Sequence, residues 1–267
     1  VEYQNCSVPF CPPLKVLDFS LDNDQKPDKN KSYTHASLWK ENLPSSFTIC
    51  TAFMVERLDK YPTLSLFVLR NDKGEMWHWV KIVAVGTYTE FSFRFEDSPK
   101  VTAQSASLFY PLQWTRVCLS SNSNTSLVRL VVDGELLLET YWKVKNKPDN
   151  LSLVLGLWNK YKEQTGKTTN LNIFSSALPV EQMLFQTSAG EEGCGLEGDF
   201  LSWEKSLEEE EWTLHSEARY VELGGGLESP CMTKARINVF PMNEEDSHSH
   251  CMAHCQKLGG RSPPVRT

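Results

Sequence analysis

No apolar run in this chain approaches the ~20 residues that a membrane-spanning helix needs, so no segment reads as transmembrane. A basic stripe is missing as well. Lys and Arg number 27 against 34 Asp and Glu, for a net charge of −7, which argues against nucleic acid or an anionic membrane as partner. The common catalytic strings are absent: there is no G-x-S-x-G, no H-E-x-x-H and no P-loop. Nor is there an E-x-D-x-x-E string, which would set two carboxylates on one strand facing a glycosidase cleft. Glu90 and Glu96-Asp97 flank a Phe-rich strand without that spacing, and His35, His78 and His215 stand isolated. These read as ordinary surface or core residues, so no enzymatic activity is expected. Val1 is not an initiator, and no charged-then-apolar leader precedes the first strand. The chain is therefore expected to be a processed product or an excised ectodomain.

What the sequence does carry is cysteine and glycosylation signal. Eight cysteines occur together with four N-x-[ST] sequons at Asn5, Asn30, Asn124 and Asn150, all in turn-like contexts. Together they point to an oxidising compartment and an extracellular or cell-surface location. The acids concentrate in Glu208 to Glu211 and in Glu244-Glu-Asp246, runs expected to be solvated loops.

Periodicity gives an all-β chain. Val117 and Leu119 share one face of a strand and Cys118 points to the other. A polar turn, Ser121 to Ser126, precedes the β-branched run Leu127 to Val132, and Asp133-Gly134 suits a type I′ turn because both residues tolerate φ > 0. Phe47, Ile49, Thr51, Phe53 and Val55 alternate with Cys50, which falls on the opposite face. Further strands are predicted over 14–21, 64–70, 77–85, 91–95, 151–156 and 170–174, with one short helix at Pro179 to Phe185. About ten short strands with almost no helix predict a two-sheet antiparallel sandwich. Beyond it, Gly198 to Trp203 and Trp212 to His215 form two apolar strings around the acidic insert, and Gly224-Gly-Gly226 reads as a linker.

The order Trp114-x-x-x-Cys118, polar turn, Leu130-Val-Val-Asp-Gly134, Leu153-Val-Leu-Gly156 and Asn170-Leu-Asn-Ile-Phe-Ser-Ser-Ala-Leu178 resembles the later half of a pentraxin or laminin-G-type module. The resemblance runs from about Leu14 to Leu214 and implies the concanavalin-A-like jelly roll. It also implies a bridge between Cys50 and Cys118, which that family makes between two adjacent strands. In similar modules a strand of the kind formed by these two apolar strings closes the sheet beside the N-terminal strand. The tail His248 to Gly260, with Cys255 before Leu258-Gly-Gly260, looks like the start of a C-type-lectin-like domain. The expected division is an irregular segment over 1–13, the sandwich over 14–223, and a linker with the lectin-like start over 224–267.

Site residues follow from these readings. Cys194 and Cys231 are the next expected disulfide, closing the segment around the acidic insert, while Cys6, Cys11, Cys251 and Cys255 cannot be paired from sequence. His248, His250 and His254 beside Cys251 and Cys255 have half of a zinc spacing, but oxidised thiols fit an extracellular chain better. Calcium, which the pentraxin resemblance raises, is not expected as a cofactor. Asn71 and Asp72 occupy a comparable early turn in reversed order, but the positions after Gly156 read Leu157-Trp-Asn-Lys160, a cation where carboxylates are needed. The family's H-x-C-x-S/T-W string is also altered here: Arg116 replaces its His, and the Trp is absent. Trp77, Trp79, Trp158 and Tyr161 are candidates for a ligand-stacking surface; the competing reading puts them in the core. The expected function is a non-catalytic recognition module with a glycan or extracellular protein as ligand. A calcium-dependent lectin and a jelly-roll glycoside hydrolase are the alternatives.

Overall fold

The computed structural model describes residues 14–19, 35–41, 43–55, 63–70, 76–85, 88–95, 101–105, 113–141, 150–156, 166–188, 197–215 and 218–223. All belong to the first of two compact units, Val1–Thr233 and Lys234–Thr267. Strands β1 (Leu14–Asp18), β2 (His35–Glu41), β3 (Phe47–Val55), β4 (Thr63–Arg70), β5 (Met76–Val85), β6 (Tyr88–Phe95) and β7 (Val101–Ser105) come first. They are followed by β8 (Trp114–Asn122), β9 (Leu127–Val132), β10 (Glu135–Tyr141), β11 (Asn150–Gly156) and β12 (Gly166–Phe174). Helices α1 (Val180–Thr187) and α2 (Trp203–Glu208) then precede β13 (Thr213–His215) and β14 (Arg219–Leu223).

The strands form two seven-stranded antiparallel sheets, the jelly-roll sandwich expected from the sequence. One runs β10-β9-β8-β3-β12-β1-β14 and the other β13-β2-β11-β4-β5-β6-β7. We call the first the disulfide sheet and the second the facing sheet. Strict alternation decides which side chains enter the core. Phe47, Ile49, Phe53, Val117, Leu119, Val128 and Leu130 from the disulfide sheet meet Ala36, Leu38, Phe67, Leu69, Leu153 and Leu155 from the facing sheet in one buried cluster. Each large side chain so buried contributes roughly 1.5–3 kcal/mol. The expected type I′ turn is present, with φ of 46° at Asp133 and 79° at Gly134.

Beside the second half of β12 the chain from Gly198 to Trp203 takes the place that β1 leaves. Ile173 donates its N–H to the Leu201 carbonyl at 2.9 Å and accepts from the Phe200 and Leu201 amides. Trp203 closes that end of the core. Its indole N–H donates to the Lys15 carbonyl at 3.1 Å, and its ring packs against Trp212 with centroids 5.9 Å apart. Ser206 joins them: its hydroxyl donates to the Trp203 carbonyl and accepts from the Trp212 indole.

Several expectations change. Trp203 opens a helix, because Trp203, Ser206 and Leu207 recur at helical spacing and the first two are buried. Thr213 to His215 joins the facing sheet beside β2, so the strand next to the N-terminal one is β14, paired with β1 from Leu14↔Leu223 to Asp18↔Arg219. The acidic run is only partly a loop: Glu208 ends α2 and Glu211 pairs with Lys40 at 2.5 Å. Asn150 is the first residue of β11, in register with Glu41, and not in a turn. Finally, α1 runs two residues beyond the predicted Phe185.

Candidate functional site

The outer face of the disulfide sheet carries a cleft. Alternation along β3 and β8 puts Cys50, Ala52, Arg116 and Cys118 on this face, opposite the core residues. Cys50 and Cys118 are direct partners in the ladder, with Cα atoms 4.1 Å apart, and they form the disulfide implied by the resemblance. Helix α1 lies over the bridge: Cys50, Cys118, Val131, Phe174, Leu178 and Met183 form a second buried apolar cluster. Sequence dictates this seat, since the only fully buried apolar residue of α1, Met183, faces the sheet while Glu181, Gln182 and Phe185 are exposed.

One step along the same face stands Arg116, opposite Ala52 on β3 and only 6% exposed. Its guanidinium Nη1 donates to the carbonyl of Ser188, the residue that caps α1. No basic residue of α1 itself occupies its last turn, so a cation from the sheet meets the negative end of the helix dipole. The turn Asp133-Gly134 braces the arrangement. Asp133 Oδ1 accepts the Arg116 backbone N–H at 3.0 Å, and Gly134 donates its N–H to Thr187 Oγ1 at 3.1 Å. Burial pushes the Arg116 guanidinium below its usual range, with the Asp133 charge opposing that shift.

The cleft is lined by Cys50, Cys118, Arg116, Asn170, Asn172 and Gln186, among others, and no carboxylate contributes to it. Two of the lining residues have buried donors without a partner, Arg116 Nη2 and Gln186 Nε2. Such a lining can hold an acceptor, but it holds no acid–base pair or nucleophile. Its neighbour Asn172 is structural: its Oδ1 accepts the amides of Gly198 at 3.1 Å and Trp203 at 3.2 Å.

The other sequence-predicted residues fall elsewhere. Asn124 is exposed in the turn after β8, and its amide, like that of Thr125, donates to Asn122 Oδ1, which leaves its own side chain accessible. Trp77 and Trp79 are on β5, Trp79 in register with Val68 and Arg94; their side chains lie outside the described residues. So do Asn71, Asp72, Trp158, Tyr161, Asn5, Asn30, Cys194, Cys231, Cys6, Cys11, Cys251, Cys255, the histidines of the tail and the whole lectin-like start. The strand register does place the departures of two loops. Arg70 pairs with Ser152 and Phe67 with Leu155, so the turn carrying Asn71 and Asp72 and the loop carrying Trp158 leave opposite ends of the β4–β11 pair. Among the described residues no three His, Cys, Asp or Glu side chains converge on a metal position, and no helix is long and apolar enough to cross a membrane. Sequence reasoning passed over Gln186, because only the landing of α1 brings it to Arg116. Arg116 itself carried a signal: it alternates with Cys118, so its side chain shares the disulfide's face.

No protein-family model matches the chain, and no curated protein sequence does. Among solved structures, a native heptameric SAP-like pentraxin from Limulus polyphemus is similar, with a TM-score of 0.59 and 13% identity over 79% of this chain and 93% of that one. The full extracellular region of zebrafish Gpr126/Adgrg6 is also similar, with a TM-score of 0.50 and 14% identity over 82% of this chain. The chain spans 27% of that extracellular region. At these identities the likeness is one of fold, and it agrees with the pentraxin-like jelly roll implied by the sequence.

Proposed function

We propose that this chain is a non-catalytic recognition module of the cell exterior, with a glycan or an extracellular protein as its ligand. The observation that carries the reading is the sandwich braced by the buried Cys50–Cys118 bridge. A structural disulfide of this kind belongs to an oxidising compartment, and the likeness in fold to a pentraxin and to a receptor's extracellular region supports the same setting. The donor-lined cleft, free of carboxylates, supports binding over hydrolysis. Ligand contact is assigned to the aromatic candidates Trp77, Trp79, Trp158 and Tyr161, whose rings suit stacking on a sugar or protein surface. Calcium plays no part in this reading.

A glycan array and a panel of purified extracellular proteins, each probed with the whole chain in calcium and in chelator, test it. Saturable binding to a defined subset, equal in both buffers, is expected. Binding to nothing on either surface would overturn the recognition role. Binding lost in chelator would replace it with a calcium-dependent lectin, and turnover of chromogenic glycosides with a hydrolase.

A further inference from the structure

The cleft beneath the end of α1 is lined by two donors that lack acceptors. Arg116 and Gln186 are 6% and 8% exposed, and each has a buried N–H group without a partner. Burying one such group costs about 1–3 kcal/mol, and more when it is charged. Two acceptors of the lining are already engaged: Asn172 Oδ1 takes two amides, and Thr187 Oγ1 takes the Gly134 amide while donating to the Met183 carbonyl. An anion accepts from such donors and needs no acceptor of its own. The cavity is about 20 Å³, room for one water-sized group, and the only charged side chain in its lining is a cation.

We propose that this cleft is a halide site, holding one chloride or bromide ion beside Arg116 Nη2 and Gln186 Nε2. The anion supplies the acceptor that both donors lack and offsets the buried guanidinium, whose charged form burial disfavours. Because Arg116 also holds the Ser188 carbonyl, the anion fastens the C-terminal end of α1 to the sheet above the disulfide. The cleft lies on the disulfide sheet, whereas Trp77 and Trp79 belong to β5 of the facing sheet, and either reading can fail without the other.

The test is thermal unfolding of the whole chain in sodium gluconate, whose anion is too large for the cleft, with chloride or bromide substituted at constant ionic strength. Specific binding raises Tm with anion concentration, by about 3 °C or more between 1 and 300 mM for a domain of this size. Gln186→Glu replaces one donor with a carboxylate that offsets Arg116 itself and repels an anion, and should give a Tm no lower than wild type with no anion response. Arg116→Gln should also lose the response; should it fail to fold, the Gln186→Glu result and the anomalous signal of bromide in crystals still decide. No response to either halide, a response unchanged in Gln186→Glu, or bromide located away from Arg116 would each overturn the proposal.

Discussion

Replacing Asn172 by leucine should cost this fold more than its position near the end of a strand suggests. The two side chains are of similar size, so the loss is one of hydrogen bonding. Asn172 Oδ1 accepts the amides of Gly198 and Trp203, both buried residues, and Trp203 is the first residue of α2. With an apolar side chain at this position neither amide has an acceptor, and each unsatisfied buried N–H costs about 1–3 kcal/mol. The expected loss is therefore about 2–6 kcal/mol, or on the order of 5–20 °C in Tm. The Nδ2 bond to the Asn170 carbonyl is long, 3.4 Å, and contributes little. Asn172→Asp keeps the acceptor at a helix N-terminus and should lie between wild type and Asn172→Leu. Urea unfolding followed by tryptophan fluorescence measures the difference, and hydrogen exchange at Gly198 and Trp203 locates it. An Asn172→Leu variant within about 1 kcal/mol of wild type would refute the reasoning, since one unsatisfied amide already costs that much.

Three further outcomes are expected. Cys50→Ala with Cys118→Ala should lose about 4 kcal/mol, the chain-entropy value for a bridge spanning 68 residues; alkylation of either thiol in the native, unreduced protein would contradict the bridge. Gly198→Ala should lose at least about 2 kcal/mol, because its Cβ would lie 2.3 Å from the Leu201 carbonyl oxygen and 2.5 Å from that of Ile173, both backbone atoms; a wild-type urea midpoint would count against that packing. Asp199 is held below the usual carboxylate range by hydrogen bonds from the Ser175 hydroxyl and amide, against a smaller opposing effect of burial. Its contribution is complete above the unfolded value of about 3.9 and disappears as pH falls through the lower folded value. Asp199→Asn should therefore flatten the acid limb of the stability profile, and an Asp199 carboxyl titrating at or above about 3.9 by NMR would oppose this.

Legibility in the sequence followed how locally each feature was encoded. Asp133-Gly134 could only be a tight turn, and the Phe47–Val55 alternation set Cys50 apart from the core, so that half of the disulfide sheet was readable. Strands β2 and β7 were not, because each offers the core only small or few apolar side chains: Ala36 and Leu38 in one, Val101 and Ala103 in the other. Strand β14 hides for another reason. It is an edge strand whose Tyr220 and Glu222 are exposed, so it lacks a two-sided apolar signature. In α2 the helical face includes Ser206, a polar residue buried because both tryptophans hydrogen-bond to it, and no apolar count detects that. The cleft was half visible. Strand parity assigns Arg116 to the disulfide's face, but Gln186 arrives from 70 residues later, and nothing local encodes where α1 lands.

The pairing of β1 with β14 begins at Leu14↔Leu223, the first residue of one strand against the last of the other. The polypeptide thus enters and leaves the sandwich at the same corner, one ladder step apart. Such a body can be spliced into a longer chain as a side-loop without pushing its flanking segments apart. It also sets the response to tension. A pull on the two ends loads the ladder at its terminal rung, and the hydrogen bonds from Leu14↔Leu223 to Asp18↔Arg219 open in succession, as in unzipping, and not together, as in shear. In a chain under load this corner yields first, while the disulfide joining β3 to β8 limits how much length the opened sandwich can release: the 67 residues between Cys50 and Cys118 stay out of the extended path.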